Sequence, residues 1–148
     1  MNAAHDTLST TARSAGRTNH FAVDGVHLSA AHCADATVVV ATGELDARNM
    51  HHLMTYARRW VSGGRPLVVD LSQLEFLAAQ GIRTLFDLDD ECRRNKVDWA
   101  VLPSHPVTRL LRICDKDGRL PVATSIDVAL ERFSASAPRL LQLVPKSG

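Results

Sequence analysis

A chain of 148 residues is long enough for one sizeable hydrophobic core and too short for two. A hydrophobic fraction of 45% and a charged fraction of 22% exclude a wholly disordered chain. Seventeen Lys+Arg against 16 Asp+Glu, a net charge of +1, leave no electrostatic footprint for nucleic acid or an anionic membrane. No apolar run approaches the ~18 residues of a membrane span, and the N-terminal residues lack an apolar signal core. The expectation is a soluble, cytoplasmic protein with no membrane insertion and no nucleic-acid partner.

Residues 1–19 are rich in Ser, Thr, Ala and Asn and have no apolar period, so they read as a flexible tail. Order is expected to begin near Phe21. Asp24-Gly25, between Phe21-Ala22-Val23 and Val26-His27-Leu28, is a tight-turn signal joining two short strands. After the polar stretch His32–Asp35, the β-branched run Thr37–Thr42 reads as a strand buried on both faces and paired antiparallel with the one around Val26. The period then changes. Met50, Leu53, Met54, Ala57 and Val61 recur at helical spacing with Arg48, Arg58 and Arg59 elsewhere. Asp46 is the expected N-cap, and Gly63-Gly64 stop the helix.

Pro66–Leu71 reads as a second buried strand, followed by a loop over Glu75–Gly81. A helix from about Gln80 to Arg94 carries Ile82, Leu85, Leu88, Asp89 and Cys92 near one side. Asp87, Asp89, Asp90 and Glu91, with Arg93 and Arg94 one turn on, read as a solvated face with Asp89–Arg93 and Asp90–Arg94 pairs worth only ~0.2–0.5 kcal/mol each. Val97–Leu102 is a third strand. Ser104-His105-Pro106 starts a short helix through Val107, Leu110, Leu111 and Cys114. Asp117-Gly118 turns the chain toward Leu120–Ala123, and Ser125 caps a last helix with Ile126, Ala129, Leu130 and Phe133 on one side. Leu140–Val144 is apolar but short, able to pack on the domain or meet a partner. Three domains' worth of boundaries follow: a tail at 1–19, a folded unit at 20–135 and an extension at 136–148. The fold class is α/β, a small, mostly parallel mixed sheet of about four to five strands with helices packed on one face.

Enzymatic chemistry finds no purchase in this pattern. Neither a G-x-x-x-x-G-K-[ST] nor a G-x-G-x-x-G phosphate loop occurs. The strand-to-helix turn Leu77-Ala78-Ala79-Gln80-Gly81 lacks the serine of a nucleophile elbow. The histidines have no H-E-x-x-H context, and the consecutive His51 and His52 point along different helix directions. Cys33, Cys92 and Cys114 contain no C-x-x-C pair and read as buried or half-buried free thiols. No metal and no cofactor is expected. The turns after the strands at Val39 and Val69 emerge at one carboxyl edge, where α/β proteins place their sites. They carry Thr42–Asp46 and Glu75–Gly81, an apolar loop beside helix amides that suits protein docking.

Gly43-Glu44-Leu45-Asp46, Val68-Val69-Asp70-Leu71-Ser72, Phe76-Leu77-x-x-x-Gly81-Ile82 and Val107-x-Arg109-Leu110-Leu111, in this order and spacing, resemble a STAS domain of the anti-sigma-factor-antagonist type over about residues 26–133. The resemblance implies a STAS-like fold and a non-enzymatic binding module. Its partner would be an anti-sigma factor, a kinase-like ATP-binding protein, whose sequestration affects sigma-dependent transcription. It implies docking through Glu44, Asp46, Leu77, Ala78, Ala79, Gln80, Gly81 and Thr84, with the family's interaction acid on Asp46. The family's Asp-Ser-Ser-Gly loop falls on Ala78-Ala79-Gln80-Gly81, so the phosphoacceptor corresponds to Ala79, which has no hydroxyl to phosphorylate. Alternatives are a soluble STAS subunit of an ABC-type transport or signalling assembly, and a small-ligand, nucleotide-sensing domain. Self-association into a homodimer stays open.

Overall fold

In the computed structural model, which describes residues 19–136, Asp24 and Gly25 both adopt positive φ, 49° and 88°. That is the left-handed pair a two-residue type I′ hairpin requires. They join β1 (Asn19–Val23) to β2 (Val26–Cys33) in antiparallel register, Val23 opposite Val26. β1 therefore includes Asn19, the last residue of the stretch expected as a tail. The remainder of that stretch and the apolar run Leu140–Val144 lie outside the described residues. A second turn at Ala34-Asp35 leads into β3 (Ala36–Leu45), antiparallel to β2 from Cys33↔Ala36 to Val26↔Gly43.

β4 (Leu67–Leu71) lies parallel to β3, and β6 (Trp99–Pro103) lies parallel to β4, in the order β1-β2-β3-β4-β6. The remaining strand, β5 (Leu74–Leu77), was expected as loop. β3 is 10 residues long, and β4 pairs only with its Thr37–Val40 half. The uncovered carboxyl end of β3 is taken up by the returning chain, with Glu44 opposite Phe76 and Leu45 opposite Leu77 after an irregularity at Gly43. The unpaired backbone of a long strand, which no side-chain pattern advertises, supplies the hydrogen-bonding reason. Leu120–Ala123 joins the far edge through a parallel bridge between Val122 and Val101.

Four helices among the described residues cover this sheet: α1 (Met50–Val61), α2 (Gln80–Arg94), α3 (His105–Cys114) and α4 (Ile126–Ser136). α1 buries Met50, Leu53, Met54, Ala57 and Val61 as their period requires, together with Tyr56. Ser104 Oγ accepts from Val107 N at 3.5 Å, and Ser125 Oγ accepts from Val128 N at 3.1 Å, at the starts of α3 and α4. Packing of helices on one face holds for three of the four. Val39, Val69 and Val101 meet α1, α2 and α3 in the larger core, whereas Val38, Val68, Ala100 and Leu102 meet Ala129 and Phe133 of α4 on the opposite side. Parallel strands that are apolar on both faces need a cover on each, and the last helix supplies the second. α4 runs through Ser136, one residue beyond the expected boundary.

Three side-chain expectations are corrected. Asp89 is buried, at 4% exposure, and is no part of a solvated face. Its Oδ1 accepts from Trp99 Nε1 at 2.9 Å, and its Oδ2 accepts from Arg93 Nε at 3.0 Å and Arg119 Nε at 3.1 Å. Arg119 reaches Asp90 as well, and its guanidinium lies 4.9 Å from the Phe86 ring centroid. Asp90 is thereby paired across the fold with Arg119, and Arg94 bonds Glu91 at 2.9 Å. Cys114, expected to be at least half-buried, is exposed at the end of α3, while Cys33 is half-buried and Cys92 is buried. Burial, with Asp89 and Glu91 nearby, pushes the Cys92 thiol up to about 12.

Candidate docking surface

The carboxyl edge of the sheet brings the two expected turns together. β3 ends at Leu45 and β5 at Leu77, side by side, and the Ala78 N–H donates to the Leu45 carbonyl at 2.8 Å. α2 starts immediately after, with Ala79 at its N-cap and no side-chain bond closing the first turn. The chain turns there on backbone bonds alone: Gly81 N to Ala78 O at 2.7 Å and Ile82 N to Ala79 O at 3.1 Å. Gly81 has a steric reason to be glycine. A Cβ at that position would lie 2.3 Å from Leu77 Cδ1 and 3.2 Å from Met50 Sδ, so a side chain would force the start of α2 off Leu77.

The expected docking residues divide by exposure. Ala79, Gln80 and Glu44 are exposed; Asp46, Ala78 and Thr84 are half-buried. Leu77 and Gly81 are buried, because their packing against each other seats the helix, and they shape the rim from beneath without reaching its surface. Phe76, absent from the expected docking set, is 48% exposed and stands in register beside Glu44. Its place in a strand, hidden from the sequence pattern, sends it outward while its neighbour Leu77 turns in.

Asp46 is not the N-cap of α1. The helix starts at Met50, and Asn49 holds the cap position without a side-chain bond into the first turn. Asp46 instead closes the turn ahead of the helix: its Oδ1 accepts from Arg48 N at 2.9 Å, and its Oδ2 meets Arg48 Nη2 at 3.3 Å. The Arg48 amide, followed by its guanidinium, holds the Asp46 carboxyl below the usual carboxylate range against a smaller opposing effect of desolvation. The Asp46 carbonyl also accepts from the amides of Asn49 and Met50, at 3.2 and 3.0 Å.

Asn49 is 1% exposed and was overlooked in the sequence. Its Nδ2 donates to the carbonyls of Asp24, at 2.8 Å, and Glu44, at 2.9 Å, while its Oδ1 accepts from Asp46 N at 2.9 Å. A short polar residue just ahead of an apolar helical period was the available signal. Nearby, Gly43 adopts φ +98°, and a Cβ there would lie 2.3 Å from the Gly25 carbonyl oxygen. Glu44 N donates to that same oxygen at 3.2 Å. The β1–β2 hairpin tip is thus held against the rim.

The rim presents amide, methyl and carboxylate groups. Among the described residues no group of three or more His, Cys, Asp or Glu side chains is arranged to hold a metal ion. The ring centroids of His51 and His52 lie 4.0 Å apart, closer than their divergent helix directions implied, and His52 Nε2 lies 3.6 Å from Asp24 Oδ2. No helix among the described residues is long and apolar enough to cross a membrane.

Residues 27–129 match the family described as the STAS domain. The chain is similar to osmosensory protein A of Mycobacterium tuberculosis (strain ATCC 25618 / H37Rv), 37% identical over 113 residues that span 74% of this chain and 72% of that protein. It is similar to the anti-sigma-F factor antagonist RsfA of Mycobacterium tuberculosis (strain CDC 1551 / Oshkosh), 32% identical over 103 residues, 67% of this chain and 80% of that one. Among solved structures, the crystal structure of an anti-sigma factor antagonist from Mycobacterium paratuberculosis aligns with a TM-score of 0.66 at 26% identity, covering 75% of this chain and 96% of the other.

Proposed function

The chain belongs to the STAS domain family, and from that premise we propose that it is a non-enzymatic regulator that captures an anti-sigma factor through the carboxyl-edge rim and so affects sigma-dependent transcription. The observation that carries this reading is the exposed Ala79-Gln80 step at the uncapped start of α2, flanked by Glu44 and Asp46, in a chain whose relatives include proteins named anti-sigma factor antagonists. Methyl and amide groups at a helix N-terminus can be covered by a partner without stranding a charge, while the two carboxylates orient the encounter.

Docking on this reading is not controlled by phosphorylation at the loop. A phosphoserine would bring about −1.5 to −2 charges into the interface. A helix N-terminus returns only ~0.3–1 kcal/mol per exposed anion, so the modification would eject the partner. Ala79 has no hydroxyl to accept the phosphoryl group, and binding is constitutive or set by another input. The name of the osmosensory relative supports osmotic upshift as the condition under which native complexes should be sought.

Pull-down against purified ATP-binding anti-sigma factors tests the reading. Wild type is expected to retain one of them. Asp46→Lys and Ala79→Asp should each weaken that complex at least tenfold, and kinase plus ATP should leave the peptide spanning Ala79 unphosphorylated. Retention of none, or a complex indifferent to both substitutions, refutes it.

A further inference from the structure

We propose that Asn49 is the positioning residue of the docking rim, and that through it the Asp24-Gly25 hairpin tip belongs to the partner's footprint; this rests on the reading above that the rim docks an anti-sigma factor. Asn49 sits beneath that surface, 1% exposed, and cannot touch a partner itself. Its carboxamide nevertheless ties three backbone groups from three places: the Asp24 carbonyl of the β1–β2 tip, the Glu44 carbonyl of β3 and the Asp46 amide of the following turn. Both N–H donors are used, one on each carbonyl, and the oxygen takes the amide. A side chain with two donors and one acceptor on a short stem is what this site requires, and of the uncharged side chains only Asn has that set at that length.

The consequence is mechanical. The chain leaves the end of β3 at Leu45 and turns through Asp46–Arg48 toward α1, and the Asn49 amide ties both sides of that turn to the adjacent hairpin tip. Bonds made by a buried side chain in this way hold backbone in one arrangement because leaving any of the three groups unpaired is costly. A second, independent contact makes the same junction: Gly43, at φ +98°, lets the Gly25 carbonyl approach so closely that a Cβ would collide with it. That oxygen in turn accepts from the Glu44 amide. The exposed side chains of Asp24 and Glu44 therefore keep a constant relation to Asp46, and a partner seated over Asp46 and Ala79 meets the tip in the same position each time. Pre-arranging the rim in this way removes an ordering cost from binding.

The test uses the full chain and the purified anti-sigma factor retained in the pull-down. Asn49→Asp keeps the shape and the acceptor for the Asp46 amide but loses both donors. It is expected to weaken the complex at least tenfold at a temperature well below its unfolding midpoint. Hydrogen exchange should accelerate at the Glu44 and Asp46 amides and stay unchanged at Val39 and Val69 in the core strands. In wild type, complex formation should slow exchange at Asp24 and Gly25, a readout that needs no variant and that a purely structural role for Asn49 would not move. Asp24→Asn, which retains a turn-compatible residue and leaves the backbone carbonyl in place, should slow association about threefold.

Asn49→Asp and Asp24→Asn binding like wild type, with no protection at the tip, would overturn the inference, while an Asp46→Lys complex still weakened at least tenfold preserves the broader reading. Should Asn49→Asp fail to fold, tip protection in wild type and the Asp24→Asn association rate decide the matter. If wild type retains no anti-sigma factor, both readings fall together.

Discussion

Replacing Asp89 with Asn tests whether the acid on the buried face of α2 binds the fold together. The carboxylate accepts three bonds, from Trp99 Nε1, Arg93 Nε and Arg119 Nε, at 2.9, 3.0 and 3.1 Å. Asparagine keeps the volume and the oxygen facing Trp99 but turns an NH₂ toward two guanidinium groups, so both charged contacts are lost. Removing one member of a fully buried pair costs ~3–5 kcal/mol because a charge is stranded. Here the arginine side chains are 68% and 40% exposed, and water takes them back. The loss should therefore fall nearer the ~1.5–3 kcal/mol of a hydrogen bond to a charged group.

The same contacts predict a pH dependence. Burial pushes the Asp89 carboxyl upward, but the donors on Trp99, Arg119 and Arg93 together outweigh it and hold the group below its ordinary value. A depressed folded pKa means that the stabilisation is present at neutral pH and is lost as pH falls below the unfolded value of ~3.9. Urea unfolding of wild type and Asp89→Asn, at pH 7 and in steps down to about pH 3, should show a gap that narrows in acid. Arg119→Met in a double-mutant cycle should recover part of it as coupling. A neutral-pH difference under ~0.5 kcal/mol, the scale of ordinary surface substitutions, or a gap that does not change with pH, would refute the reasoning.

Three further outcomes are expected. Gly43→Ala should destabilise by ~2–4 kcal/mol in chemical unfolding, since it combines a left-handed φ with overpacking against the Gly25 carbonyl; a loss below 1 kcal/mol would mean that the hairpin tip is not clamped there. Native thiol labelling at mildly alkaline pH should modify exposed Cys114 quickly and leave Cys92, buried and pushed up to about 12, untouched until the chain unfolds; peptide mapping reads which site has reacted. Tyr56, the single tyrosine, is raised to about 12 by burial, with Arg59 opposing. Its absorbance titration should midpoint near that value in folded protein, and stability should decline as pH rises from about 10, where the unfolded tyrosine ionises, toward 12.

The helices were legible because their burial repeats along the chain. Met50, Leu53, Met54, Ala57 and Val61 announce one face of α1, and Ser104-His105-Pro106 and Ser125 mark where α3 and α4 begin, through oxygen atoms that meet local amides. Asp24-Gly25 was equally readable, since both residues tolerate the left-handed backbone that the hairpin demands. β5 was not: four residues beside the free end of β3 carry no period long enough to detect, and their partner lies about thirty positions away. The rim was legible as a location, through two turns leaving one sheet edge, but its division into exposed and buried members was not. Phe76 and Leu77 are neighbours of similar hydrophobicity, and only the pleat of β5 decides which of them faces water.

Local chemistry alone determined the type of every element except β5, most of their ends and the antiparallel start of the sheet, because turns, caps and amphipathic periods act over a few residues. Tertiary structure decided where polar groups without a local partner find one. Asp89 meets Trp99 and Arg119 from elsewhere in the chain, Asn49 reaches back to the hairpin tip, and α4 crosses to the second face of the sheet. A buried charge or amide must be satisfied by whatever the whole fold brings within hydrogen-bonding distance, and that distance is set by packing among elements that the sequence keeps far apart.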